Sequence, residues 1–154
     1  MFVAISSPPS ILKPTGNLHL GTHQDNLVDS AQTLVELDTI TPNFPDGIED
    51  TVLHKITPAV AGFYDVKAQI GFYDIVVDKV FGMYVYKNNS DTLIQKFVHT
   101  SFNYDLYIGG SVLVYLNNTD YVTLKAYHSS GVDTICLRAG AADTFLSVAL
   151  RRKA

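Results

Sequence analysis

Tryptophan is absent from the chain, cysteine occurs once, and charged residues are few: 11 Lys and Arg against 15 Asp and Glu, 17% of 154 residues, where an average soluble domain carries about 25%. Each shortage excludes something. A lone Cys136, set between Ile135 and Leu137, cannot close an internal disulfide, so the fold does not depend on an oxidising compartment; a small buried apolar residue is the role expected of it. With a net charge of −4 and Arg151, Arg152 and Lys153 as its basic cluster, the chain has little with which to neutralise a phosphate backbone, and nucleic acid is not an expected partner. No run approaches the roughly 18 apolar residues that cross a bilayer. Met1 to Ile5 lacks a basic flank and is stopped by Ser6, Ser7, Pro8 and Pro9, which does not fit a secretory leader. With 47% hydrophobic residues and so little charge, part of the surface is expected to be covered by partners.

What is present is aromatic and β-patterned. Residues 1–30 are punctuated by Pro8, Pro9, Pro14, Gly16 and Gly21 and hold neither helical nor strand periodicity. They are expected to form an extended N-terminal arm, with 31–154 as the folded domain. Leu34 to Ile40 and Thr51 to Thr57 read as early strands on either side of a Pro-rich loop. From Gly62 the alternation is regular: Tyr64, Val66, Ala68 and Ile70 form an apolar row against Phe63, Asp65, Lys67 and Gln69, a half-buried strand. Val80–Tyr86, Leu93–His99, Ser111–Leu116, Tyr121–Tyr127, Thr134–Arg138 and Thr144–Leu150 continue the series, separated by turns such as Lys87-Asn88-Asn89-Ser90 and Asn117-Asn118-Thr119-Asp120. About eight or nine short antiparallel strands without a helical window describe an all-β sandwich or jelly roll.

Three segments resemble the tumour-necrosis-factor-like jelly roll, the superfamily that includes the globular heads of the complement first component. They are Gly62-Phe63-Tyr64 followed by Gln69, Tyr107-Ile108-Gly109-Gly110 followed by Asp120-Tyr121-Val122, and the closing Thr144-Phe145-Leu146-Ser147-Val148-Ala149-Leu150. The likeness covers roughly residues 32–150. Thr119 and Ser147 depart from it, since each stands where the family usually has glycine. The paired glycines are expected to serve a strand bend through positive φ or close backbone approach. The resemblance implies a homotrimer with one sheet lining the threefold axis, and implies Phe63, Asp65, Lys67, Tyr107 and Phe145 as trimer-interface positions. Asp65 and Lys67 stand where relatives are often apolar, so that contact is expected to be wet or ion-paired.

Reactive chemistry is sparse. His19 and His23 have helical metal spacing, but Pro14, Gly16 and Gly21 oppose a helix, and no further ligand is spaced to join them. Asp46, Glu49 and Asp50 match no calcium loop and read as a solvated acidic turn. No phosphate loop, nucleophile elbow or zinc-protease helix occurs. No metal, cofactor or enzymatic activity is therefore expected. Nine Tyr and eight Phe suit interfaces or sheet faces. Together these features lead to the expectation of a virion structural protein, most specifically a bacteriophage capsid decoration (cement) protein assembled in the host cytoplasm. Its partners would be itself, as a trimer, and the major capsid protein or another virion protein, with no nucleic acid and no membrane. The arm residues Phe2, Val3, Ile5, Ile11 and Leu12 would bind the capsid. The alternative is the receptor-binding head of a phage tail or head fibre that recognises a host-surface glycan or protein.

Overall fold

Alternation of apolar and polar residues decides which face of each strand is buried. The computed structural model describes residues 15–41 and 48–154. In chain order the strands are β1 (Thr15–His19), β2 (Gln32–Leu34), β3 (Thr39–Ile40), β4 (Glu49–Asp50), β5 (Lys55–Ile56), β6 (Gly62–Tyr73), β7 (Val80–Lys87), β8 (Asp91–His99), β9 (Leu106–Leu116), β10 (Val122–His128), β11 (Cys136–Leu137) and β12 (Phe145–Lys153). One antiparallel sheet runs β9-β6-β12-β1-β3, with β11 continuing the β12 edge of β6. The other runs β4-β5-β10-β7-β8, with β2 beside β10. The two pack face to face as a jelly-roll sandwich. Tyr64, Val66, Ile70, Leu146 and Val148 from the first sheet and Met83, Val85, Val122, Leu124 and Ala126 from the second are all buried between them.

Three sequence expectations change. The arm expected over residues 1–30 does not extend that far, since β1 lies in the first sheet between β12 and β3, and Leu18, Leu20 and Leu27 are buried. Gly16, Leu18 and Leu20 alternate with Asn17 and His19, a strand pattern that Gly21 cuts too short to read. Leu27 is held by its amide, which donates to Ile135 O at 3.0 Å, and by its carbonyl, which accepts from His128 Nε2 at 2.9 Å. The capsid-binding positions Phe2, Val3, Ile5, Ile11 and Leu12 lie outside the described residues.

Thr51 to Thr57 is not one strand. Asp50 Oδ1 accepts the amides of Val52 (3.0 Å) and Leu53 (2.8 Å) and turns the chain between β4 and β5, so both apolar side chains face solvent. Nor does the Gly109-Gly110 pair bend a strand. β9 is continuous, and among the described glycines positive φ occurs at Gly131 and Gly140 instead. Gly110 is needed for lateral approach, since a Cβ there would lie 3.1 Å from Ile94 Cγ2 and 3.3 Å from Lys96 Cε. This lets β8 lie close beside β9, where Lys96 Nζ donates to Gly109 O at 2.6 Å.

Thr119 is tolerated because Asn117 Oδ1 accepts the Thr119 amide (2.8 Å), the Thr119 hydroxyl (2.6 Å) and the Asp120 amide (2.9 Å). Asp120 then ties this turn to the β7–β8 turn, accepting from Asn88 Nδ2 at 2.8 Å and pairing with Lys87 Nζ at 3.0 Å. Burial pushes its pKa up, but the Asn117 amide, Asn88 and Lys87 together overcome this and hold it below 3.8. A depressed carboxylate contributes stability that is present above its ordinary value and lost as pH falls through the folded one. Asp120→Asn is expected to cost about 2 kcal/mol near neutrality and to flatten the loss of stability below pH 3.8. Denaturant titrations at several pH values check this, and equal acid sensitivity in both proteins would contradict it.

Candidate functional site

The outer face of the β9-β6-β12-β1 sheet collects the residues that the resemblance implies for a trimer. Register aligns them in rows across the strands. Phe63 pairs with Tyr115, their rings meeting edge to face at 5.6 Å, and Arg152 lies over Phe63 at 4.9 Å. Asp65 is flanked by Leu113 and Ala149, Lys67 by Ser111 and Ser147, and Gln69 by Gly109 and Phe145. Tyr107 closes the face opposite Gly71, where a Cβ would stand 2.9 Å from the Tyr107 ring. Glycine at 71 lets that ring lie down on the strand.

All five positions therefore fall on one surface, though Phe63, Asp65 and Phe145 are partly covered while Lys67 and Tyr107 are exposed. Leu113 (61% exposed), Tyr107 (46%) and Tyr115 (43%) are large apolar side chains in solvent, a concentration that marks interaction surfaces. In the middle, Asp65 Oδ2 accepts from Arg151 Nη2 at 2.6 Å and lies 3.7 Å from Lys67 Nζ. The charged strip is thus paired within one chain. A shallow hollow of about 490 Å³ beside it is lined by Asp65, Ser111, Val112, Leu113 and Arg151. Leu113, Tyr115 and Arg151 were not foreseen as members of this face.

The opposite sheet carries a second aromatic surface. Tyr84 and Tyr86 stack at 5.8 Å, and Phe97 meets Tyr84 at 5.4 Å and Tyr127 at 5.8 Å, both edge to face. Tyr86 Oη donates to Gln32 Oε1 at 3.0 Å, and Lys125 Nζ sits 4.9 Å above the Tyr86 ring.

The histidines serve locally. His19 Nδ1 is hydrogen-bonded to Thr41 Oγ1 at 3.1 Å, His23 Nδ1 lies 3.0 Å from the Ala139 amide, and His54 donates to Leu37 O at 3.0 Å. His128 is wholly buried. Among the described residues no three His, Cys, Asp or Glu side chains gather as metal ligands. Asp46 lies outside the described residues, Glu49 accepts the Asn17 amide at 3.1 Å, and Asp50 caps its turn. Cys136 is buried, which pushes its thiol pKa up, and the thiolate form is correspondingly disfavoured.

This arrangement, two antiparallel sheets packed face to face with no helix among the described residues, defines an all-β jelly-roll sandwich. Solved structures share it. Eiger TNF from S. frugiperda superposes with a TM-score of 0.72 at 15% identity, covering 92% of this chain and 94% of that one. Murine APRIL at pH 5.0 gives 0.64 at 16% identity, over 90% of this chain and all of its own. The globular domain of zebrafish complement 1qA protein gives 0.63 at 11% identity, over 93% and 100%. At these identities the likeness establishes the fold. No protein-family model and no curated protein matches the sequence.

Proposed function

We propose that this chain is a non-catalytic attachment module that works as a homotrimer, associating through the outer face of its β9-β6-β12-β1 sheet. The observation that carries this reading is the exposure of Tyr107, Leu113 and Tyr115 on a sheet face that alternation would otherwise leave polar. The paired Asp65 and Arg151 beside them allow a contact that is ionic at its middle and apolar at both ends. The sequence resemblance supports the same sheet as the one lining a threefold axis.

The setting we propose is a virion surface, with the trimer as a capsid decoration protein and the fourteen residues before β1 as its attaching arm. The support is in the sequence: Phe2, Val3, Ile5, Ile11 and Leu12 are apolar anchors among Pro8, Pro9 and Pro14. Ordering such a segment on a partner costs on the order of 1–2 kcal/mol per residue, which burial of those anchors must offset. Because β1 belongs to the sandwich, a deletion must stop before Thr15. Removal of residues 2–14 is expected to abolish binding to the partner particle while the mass of the oligomer remains that of a trimer less its arms. Full-strength binding by the truncated protein in a cosedimentation assay would refute the arm.

A second reading, a receptor-binding head, is favoured by the Tyr84, Tyr86, Phe97 and Tyr127 surface on the other sheet, because solvent-facing rings suit a sugar or protein ligand. Binding of the intact protein to a glycan array supports it; a blank array with normal particle binding supports decoration.

A further inference from the structure

At the β5 end of the second sheet lies a cavity of about 310 Å³, lined by Leu34, Leu53, Lys55, Asn89, Tyr121 and Thr123. It is built from four separate stretches of chain. Lys55, Thr123 and Tyr86 stand side by side across β5, β10 and β7, so the cavity opens directly onto the aromatic surface. This outer side of the sandwich is opposite the proposed trimer face.

The polar inventory of the cavity is specific. Lys55 Nζ rests 4.8 Å from the centre of the Tyr121 ring, and among the described residues no carboxylate lies within ion-pair distance of it. Lys125, two residues beyond Thr123 on β10, is likewise seated over an aromatic ring, that of Tyr86, without an acidic partner among the described residues. The nearest acid in register with Lys55 is Asp50, whose Oδ1 is engaged by the Val52 and Leu53 amides. Asn89 is held at φ 57, and its Oδ1 accepts the Thr123 hydroxyl at 2.9 Å, an arrangement that leaves the amide Nδ2 of Asn89 as a donor. The remaining wall is aliphatic, with Leu34 on β2 and the exposed Leu53 at the rim.

An ammonium group with no acid to neutralise it, in a protein of net charge −4, favours an anion. One ring face and two leucines favour an apolar surface, while an amide and a phenol suit hydroxyl groups. A pyranose bearing a carboxylate combines all three features: its C–H face packs on the ring, its hydroxyls pair with neutral polar groups, and its charge takes a charge-assisted hydrogen bond. The volume sits at the small end of the range for ligand sites and suits a single sugar unit. We infer that this cavity binds one acidic sugar residue, with Lys55 as the carboxylate-recognising group, its ammonium leaving the Tyr121 ring that then serves as the stacking platform. The inference rests on the recognition reading for its ligand class and is independent of the trimer, because every lining residue comes from one chain.

The test uses three probes: methyl β-D-glucuronide, methyl β-D-glucoside and acetate. They present the charged sugar, the same ring without the charge, and the charge without the ring. Two-dimensional amide NMR of the full chain is expected to show saturable shifts around Lys55, Asn89 and Thr123, with the glucuronide bound about tenfold more tightly than either control. Lys55→Gln keeps the aliphatic stem and is expected to erase that preference, bringing the glucuronide to the level of the glucoside. Thr123→Val, which frees Asn89 Oδ1, is expected to weaken both sugars together. Equal binding of acetate and glucuronide would overturn the sugar assignment, and an unchanged preference in Lys55→Gln, or no saturable shift with any probe, would overturn the site. A monomeric variant should bind as the trimer does, so loss of the trimer and loss of the sugar site are read separately. A positive glycan array with normal Lys55→Gln binding would leave recognition standing and refute this cavity.

Discussion

Exchanging Leu113 for aspartate is expected to yield a folded monomer under conditions in which the unaltered protein is trimeric. Leu113 is 61% exposed in the single chain, so the substitution removes little from the core. Its register partner on β6 is Asp65, and the new carboxylate would stand beside one whose charge is already matched by Arg151 and Lys67. Replacing an apolar contact with a carboxylate that must be desolvated against a neighbouring subunit costs about 4 kcal/mol, about a thousandfold in association. Leu113→Ala, which loses only area, is expected to weaken the trimer less. Circular dichroism shows whether the fold persists, and light scattering gives the mass. A Leu113→Asp protein that stays trimeric would place the interface elsewhere.

The second large effect is expected inside the sandwich. His128 has no exposed surface; its Nε2 donates to Leu27 O at 2.9 Å, and its Nδ1 lies 2.9 Å from Ser130 Oγ and 3.4 Å from Asp29 Oδ1. The ring also stacks on Phe81 at 6.2 Å. It thereby fastens the stretch after β1 to the end of β10. Asp29 reinforces the same junction: its carboxylate accepts the Gly131 amide at 2.7 Å, and that bond leads the causes that hold its pKa below 3.8.

His128→Ala leaves a cavity beside Phe81 and strips the Leu27 carbonyl of a buried partner, at a cost of about 3 kcal/mol. His128→Gln, which can still donate an N–H, is expected to recover part of it. Equilibrium denaturation in the Leu113→Asp background isolates this from subunit dissociation. Hydrogen exchange should show that the Leu27 amide, donated to Ile135 O, loses protection first. A loss below 1 kcal/mol would mean that the junction is held by its apolar contacts alone.

The sequence showed the sandwich most clearly where one face is apolar and the other polar. Tyr64 to Ile70, Val122 to Ala126 and Leu146 to Leu150 alternate, with the small Ala149 the one apolar residue on their outer rows, and their inward apolar members are buried. It failed where both faces are apolar. In Ser111-Val112-Leu113-Val114-Tyr115 the serine alone marks the outward row, too little to separate the inward Val112 and Val114 from the outward Leu113 and Tyr115.

Arg151 was hidden for another reason. Its partner Asp65 is opposite Ala149 in register, and a bulge between Leu150 and Arg152 carries the chain past it. β1 escaped because a strand of five residues bounded by Pro14 and Gly21 gives alternation too little length to rise above turn composition. The cavity beside Lys55 could not be read at all, since Lys55, Asn89 and Tyr121 come from elements that only the topology brings together.

Self-association through the β9-β6-β12-β1 face is tested most directly by sedimentation equilibrium of the unaltered protein over a range of concentrations. A mass close to three times 16.9 kDa, persisting on dilution, is the predicted result. A mass of one chain, or of two, at every concentration would contradict it.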